Sequence, residues 1–217
     1  LINDPNLIHK VNSHPKASWT AKAHKQFDGK TLEHMKRELL GTFMRPSMDD
    51  DGDMGPFKKK NKANEVLAPS SSFLPEFFDA REKWPKCIGK IRNQGKCGSC
   101  WAVSGAEVVG DRFCIATNGS IHFQFSPQYI LSCDKENYGC KGGFQTSEWI
   151  FLANKGTTSE QCMPYTSGEG EVEACPARCA NGTQIEHYRI DYSSIQIFSR
   201  RNLEGIQKDI MTYGSVQ

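Results

Sequence analysis

Gln94-Gly95-Lys96-Cys97-Gly98-Ser99-Cys100-Trp101-Ala102 is the stretch on which the reading of this chain turns. Ser99 suits the cap of a helix that begins at Cys100 and runs to about Thr117, where Asn118-Gly119 closes it. A cysteine in the first turn of a helix faces unpaired N–H groups and the positive end of the macrodipole. Both favour the thiolate, which is the attacking species. Gln94 lies six residues upstream across a glycine-containing turn. Its side-chain amide is suited to donate to an oxygen that gains charge when a carbonyl is attacked, and the Cys100 backbone N–H is a second donor. The segment therefore offers Cys100 as nucleophile and Gln94 as oxyanion donor. A Cys-x-x-Cys pair such as Cys97 and Cys100 also suits a zinc knuckle or a redox pair. Zinc would want a second matched pair, and Cys133/Cys140 and Cys175/Cys179 are spaced loosely for one. On the residues alone both chemistries stay open.

Outward from this segment, the cysteines are lopsided. All nine lie between Cys87 and Cys179, and residues 1–86 contain none. Such density suggests metal in a reducing cytosol and disulfides in a secretory compartment. Nine is odd, so four bridges leave one thiol over. Two sequons, at Asn118 and Asn181, fit a secretory route and mark candidate glycosylation sites. The chain has 217 residues, 37% hydrophobic and 24% charged, which suits a globular protein with one sizeable core plus an appendage, or with two small domains. A net charge of +2 without a long basic face does not point to nucleic acid or to an anionic membrane. No run approaches the ~18 apolar residues of a transmembrane helix. The first residue is Leu1 and no apolar signal-like run follows it, so the expectation is a chain that begins after a removed signal peptide or is part of a longer one.

Residues 1–45 read as a helical, cysteine-free leader. Asp4-Pro5 starts one helix, with Leu7, Ile8 and Val11 at helical spacing, and Leu32, Met35 and Leu39 mark a second that stops at Gly41. Residues 46–73 read as a solvated linker, packing Asp49, Asp50, Asp51 and Asp53 against Lys58, Lys59, Lys60 and Lys62. The acidic cluster is no EF-hand, because Met54 stands where the loop needs Gly and Lys60 where it needs Glu. Beyond Leu74, Ser126-Pro127 starts a short helix toward Leu131, and Phe144 to Lys155 forms another, stopped by Gly156. His187 to Phe198 alternates like a strand, and Leu203, Ile206, Ile210 and Met211 mark an amphipathic helix ended by Gly214.

Cys97-Gly98-Ser99-Cys100-Trp101 matches the signature around the active-site cysteine of papain-like proteases. Leu74-Pro75, Phe78-Asp79-Ala80-Arg81-Glu82-Lys83-Trp84-Pro85, Asp111-Arg112-Phe113-Cys114-Ile115, Cys140-Lys141-Gly142-Gly143, Pro164-Tyr165 and Asp209-Ile210-Met211 extend the match. Trp19 and Leu39-Leu40-Gly41-Thr42-Phe43 resemble the short propeptide of the same group. The chain thus resembles cathepsin B-like cysteine proteases of the papain family over essentially its whole length.

The resemblance implies an α+β, papain-like two-domain fold. A helical propeptide with its charged processing linker (1–73) would precede a peptidase domain (74–217), with a helical lobe at about 84–187 and a β lobe only begun at about 188–217. It implies disulfides Cys87–Cys114, Cys97–Cys140, Cys133–Cys175 and Cys162–Cys179, leaving Cys100 free, and a substrate cleft lined by Gly142, Gly143 and Phe144. Val103 and Gln145 depart from the residues usual at their positions, the second beside the S2 pocket. Implied partners are protein or peptide substrates, the chain's own propeptide as inhibitor, and cystatin-like inhibitors. No cofactor or metal is implied, and the location is the secretory pathway, lysosomal or extracellular. The family's histidine and asparagine lie ~130–150 or more positions past the cysteine, beyond Gln217. His122 and His187 are only 22 and 87 residues on, so the 217-residue polypeptide is expected to be inactive by itself. Only twelve residues, Met163 to Ala174, separate Cys162 from Cys175, and none is His, so the occluding loop of cathepsin B is expected to be missing. The alternative is a non-catalytic, papain-like binding protein.

Overall fold

In the computed structural model, the structure describes residues 1–43, 74–198 and 202–217. The charged linker at 46–73, with the Asp49 to Lys62 cluster, lies outside the described residues. The axis of the fold is a 17-residue helix that carries the first residue of the site at its start. Taken in chain order, the leader supplies α1 (Pro5–Asn12), α2 (Leu32–Glu38) and the two-residue strand β1 (Thr42–Phe43). The short α3 (Ala80–Lys83) precedes that axial helix, α4 (Cys100–Ala116), and α5 (Pro127–Cys133) follows it. Strand β2 (Gly143–Phe144), α6 (Gln145–Asn154) and α7 (Leu203–Tyr213) complete the order.

Local signals explain most boundaries. The Asp4 carboxylate accepts the Asn6 amide at 2.9 Å, with Pro5 at the first helical position. Thr31 and His34 form a capping box at α2. The Ser126 hydroxyl accepts the Tyr129 amide at 3.0 Å and opens α5. At the end of α4, Asn118 takes φ 51° and the Gly119 amide returns to the Cys114 carbonyl at 2.8 Å. Gly156 (φ 78°) ends the turn after α6 where a Cβ would stand 2.2 Å from the Tyr188 carbonyl oxygen.

Two differences from the sequence expectation have physical causes. Ser99 occupies the cap position of α4 but makes no capping bond; its hydroxyl lies 2.7 Å from the Tyr165 hydroxyl instead. The segment 187–198 is not a strand. Tyr188 makes one antiparallel bridge to Thr157, after which Asp191 accepts the Ser193 amide and hydroxyl and curls Tyr192–Ser194 into a 3-10 turn. Side chains that bond their own backbone compete with a ladder. Among the described residues of 188–217 there is no strand. Instead α7 packs back on α4, joined by an Arg112–Asp209 ion pair and an Arg112 bond to the Ser215 carbonyl at 2.9 Å.

The core lies where α4 meets α5 and α6. Trp101, Ala102, Ala106, Val109, Phe125, Ile130, Leu131 and Leu152 are all buried there. A second cluster of Tyr129, Cys162, Met163, Cys179 and Ile185 adjoins it. Four disulfides, Cys87–Cys114, Cys97–Cys140, Cys133–Cys175 and Cys162–Cys179, tie the surrounding loops together. The loop after Met163 is anchored by one buried side chain. Gln128 Oε1 accepts the Thr166 and Ser167 amides at 3.0 and 3.1 Å, while its Nε2 donates to Ser132 and Ser167 hydroxyls at 3.1 and 3.0 Å.

Replacing Gln128 by Leu would leave these buried groups unpaired, at about 1–3 kcal/mol for each group that finds no water. The expected loss is about 3 kcal/mol, or roughly 6–12 °C in Tm for a chain of this size. Calorimetry with the disulfides intact, together with faster proteolytic nicking in 166–173, would show it; an unchanged Tm would refute this anchoring role.

Candidate active site

Cys100 begins α4 and is the one cysteine with a free sulfur. Cys97 is bonded to Cys140, so the Cys-x-x-Cys segment is neither a redox pair nor half a zinc knuckle. Because Ser99 turns away, the first turn of α4 is uncapped. Among the described residues the Cys100 and Trp101 amides meet no acceptor, while those of Ala102 and Val103 reach the Ser99 carbonyl at 2.9 Å.

Two walls flank the sulfur. One is Gln94–Gly98, and the other runs from Cys140 to Phe144. The Cys97–Cys140 bridge and a Gly98 amide bond to the Cys140 carbonyl at 2.9 Å join them at the base. The second wall stands on the core: a Cβ on Gly143 would stand 2.6 Å from the Trp101 indole. Asn137 orients it, accepting the Phe144 amide at 2.7 Å while donating to Asp134 at 2.7 Å.

The leader's backbone fills the space between the walls. The Cys100 sulfur accepts the Gly41 amide at 3.3 Å and lies 3.2 Å from the Thr42 hydroxyl. Gln94 Nε2 donates to the Leu39 carbonyl at 2.9 Å and to the Cys97 carbonyl at 2.7 Å. The Gly143 amide donates to the Gly41 carbonyl at 2.7 Å, and β1 lies parallel to β2 with Thr42 opposite Gly143. Glycines allow this approach. A Cβ on Gly41 would stand 1.8 Å from the Gly98 oxygen, and one on Gly142 (φ 114°) would meet the Gly41 oxygen and the Phe43 ring at 2.6 Å. The Phe43 ring packs edge-on to Phe144 at 5.4 Å and against Tyr138 at 6.1 Å.

The structure thus brings Cys100, Gln94, Gly142, Gly143 and Phe144 to one cleft. It places the sequons elsewhere: Asn118 is exposed past the end of α4, and the exposed Asn181 accepts the Thr183 amide and hydroxyl at 3.1 and 2.7 Å. Among the described residues no histidine hydrogen-bonds Cys100; His34 serves Thr31, and His187 Nε2 lies 2.8 Å from the Tyr129 hydroxyl.

Sequence reasoning gave no role to Tyr165 or Glu148. The Tyr165 hydroxyl donates to the Gln94 backbone carbonyl at 2.8 Å, across 71 residues, and meets Ser99. Burial pushes that phenol up, and its bond from Ser99 opposes the rise. Glu148 is fully buried against α4, at a point where a Cβ on Gly105 would stand 2.0 Å from its carboxyl oxygen. Its Oε2 accepts Gln217 Nε2 at 2.8 Å, and Gln217 Nε2 also reaches the Trp101 carbonyl and the Ser104 hydroxyl. Ser104 donates in turn to the Cys100 carbonyl at 2.7 Å. Burial drives the Glu148 carboxyl well above its usual range. The Gln217 bond opposes this, and the charges of Asp134 and Cys100 push it further up. Pro164-Tyr165 figures in the family resemblance without a role attached to it, and no motif or periodicity marks Glu148, because the partners of both side chains are distant in sequence.

Known proteins resemble the chain in both sequence and fold. The sequence model of the papain family cysteine proteases matches residues 74–217. Cathepsin B-like CP3 of Giardia intestinalis is 39% identical over 188 residues, which is 86% of this chain and 57% of that protein. Cathepsin B-like cysteine proteinase 4 of Caenorhabditis elegans is 31% identical over 241 residues, covering 97% of this chain and 68% of that one. The solved structure of proCathepsin B S9 from Trypanosoma congolense superposes with a TM-score of 0.75 at 26% identity, over 97% of this chain and 69% of that chain. The chain therefore spans just over half the length of the Giardia relative.

A carboxyl whose native pKa is raised binds more protons folded than unfolded between its ordinary value and its native one, so stability falls as pH rises through that window. For Glu148 the window opens near the ordinary 4.5. Glu148→Gln is therefore expected to raise Tm at pH 7 by about 3 °C, on the order of 1 kcal/mol, and by less at pH 4.5. A pH series of melting curves checks it, and an equal effect at both pH values would count against the ionisation argument.

Proposed function

The chain belongs to the papain family of cysteine proteases, and from that premise we propose that it is precursor sequence of a cathepsin B-like cysteine endopeptidase with Cys100 as nucleophile and Gln94 as oxyanion donor. The observation that carries this reading is that the leader's main chain touches both residues at once, through the Gly41 amide on Cys100 and the Leu39 carbonyl on Gln94. A cleft that holds an extended backbone by such bonds suits a peptide substrate.

The Cys100 thiolate attacks the scissile carbonyl carbon. Gln94 Nε2 and the uncapped Cys100 amide then stabilise the oxyanion as a thioester forms and the amine departs. The proton for that amine comes from an imidazole that the family resemblance puts past Gln217. Gly142 and Gly143 let the substrate backbone approach, and Phe144 with Tyr138 forms an aromatic subsite. The leader inhibits because the sulfur there faces an N–H donor and a hydroxyl in place of a carbonyl carbon. Maturation removes the leader by cleavage in 46–73. The short Cys162–Cys175 segment, pinned to Gln128, leaves the leaving-group side open and favours internal cleavage over dipeptide release. Asn118 and Asn181 carry glycans on a secretory route to a lysosome or the exterior, and cystatin-like inhibitors would enter the same cleft.

In full-length protein, an epoxide-type thiol reagent is expected to label Cys100 alone, and an internally quenched peptide to be cleaved. Gln94→Ala should lower kcat by about 10²–10³ while labelling persists. Unlabelled Cys100, or dipeptide release with internal bonds untouched, would sink the respective parts of this reading. A leader peptide carrying Gly41→Ala, added in trans to the mature enzyme, should inhibit at least about 100-fold less well, since a Cβ there collides with Gly98. Equal inhibition by both peptides would show that the leader does not bind as seen here.

A further inference from the structure

Tyr165 lies outside the catalytic set, yet its hydroxyl joins Gln94 to Ser99, the residue immediately before Cys100. It donates its one proton to the Gln94 carbonyl at 2.8 Å, so the Ser99 hydroxyl, 2.7 Å away, donates to it. Ser99 is fully buried and sits where a serine ordinarily accepts an amide from the first turn of its helix. With its hydroxyl drawn to Tyr165, the second helical amide, that of Trp101, meets no acceptor among the described residues, while that of Ala102 is taken by the Ser99 carbonyl.

We propose that Tyr165 is a positioning residue: it diverts the Ser99 side chain so that the first turn of α4 stays uncapped for the thiolate and the oxyanion, and it fixes Gln94 relative to that turn. An open helix start attracts negative charge, and a cap would satisfy one of the donors that create the field. The tyrosine is itself held in place. Its amide donates to Glu160 Oε1 at 2.9 Å, and the next two amides bond Gln128. Glu160 also pairs with Arg92 at 2.8 Å, so the phenol is supported from two directions.

This inference rests on the proposed role of Cys100, and its test separates the two. The charged group coupled to Cys100 is Glu148 of α6, with Asp134 after α5 acting on Glu148 in turn; α7 brings Asp209, paired with Arg112, and the cleft edge carries Lys96 paired with Glu169. None of them is altered by the substitutions that follow. The measurement is the pH dependence of Cys100 alkylation by iodoacetamide in full-length protein after leader removal, which needs no turnover.

Tyr165→Phe keeps the ring and frees Ser99 to cap α4. The midpoint of alkylation should rise by about half a unit, the size of one helix-terminus interaction. The kcat should fall about tenfold, with KM within about twofold, as Gln94 loses its tether. Adding Ser99→Ala should return the midpoint to that of the parent, because alanine cannot cap, while kcat stays low. Should Tyr165→Phe not fold, Ser99→Ala alone is decisive, since the midpoint should stay within about 0.2 units of the parent. A midpoint unmoved by Tyr165→Phe, or not restored in the double variant, overturns the inference, as does a large shift in Ser99→Ala alone. A purely structural tyrosine would lower Tm without moving the midpoint. A parent protein whose Cys100 resists alkylation altogether would instead overturn the protease reading.

Discussion

The Cys97–Cys140 bridge joins the two walls of the cleft, and the geometry of the site follows from it. It fastens the turn before α4 to the turn before β2, with the Gly98 amide on the Cys140 carbonyl beside it. Cys97 is fully buried, so the join is part of the core and is not a surface strap. With that sulfur committed, Cys100 three residues on is left as a thiol at a helix start. The indole of Trp101 lies under Gly143, donating to the Gly139 carbonyl at 3.2 Å, so the position of the second wall is set by the same helix that carries Cys100.

Glycine placement then decides what backbone fits between the walls. Gly41, Gly98, Gly142 and Gly143 come together where three pieces of main chain meet, and each lacks room for a Cβ. Such sites trade chain entropy for close approach. The leader exploits this fit from within the same polypeptide, pairing β1 with β2 over only two residues. Its helices contribute little burial of their own, since no residue of α1 is buried. Its hold on the cleft therefore comes from a few main-chain bonds and from Phe43 among aromatic rings.

Buried polar side chains carry the rest of the geometry. Gln128, Asn137 and Tyr165 each fix a loop by bonding backbone groups, where an apolar residue of similar size would leave amides and carbonyls unpaired in a low-dielectric interior. Glu148 is the costly member of this set. Its Oε1 and the Gln217 Oε1 have no partner among the described residues, and the carboxyl stays protonated more readily than an exposed one would.

Short-range signals were enough to read much of this protein. Asp4-Pro5, Ser126-Pro127 and Asn118-Gly119 place helix ends because each acts on amides within one turn of itself, and an odd count of nine cysteines leaves one sulfur over however the others pair. Cys100 and Gln94 were legible because six residues and one turn separate them. Other features depended on partners far along the chain. Ser99 reads as a cap until Tyr165, 66 residues on, claims its hydroxyl. The segment 187–198 reads as a strand until Asp191 bonds its neighbours and no second strand lies alongside. Gly41 reads as a helix stop, whereas its close partners Gly98, Cys100 and Gly143 all lie more than fifty residues away. The sequence by itself determined which residue types stand within a turn of one another, and hence most of the helix ends and the presence of an odd thiol. Only the tertiary structure decided which hydroxyl goes to which partner and which backbone fills the cleft, because a hydrogen bond or a missing Cβ acts over a few ångströms of space, whatever its separation along the chain.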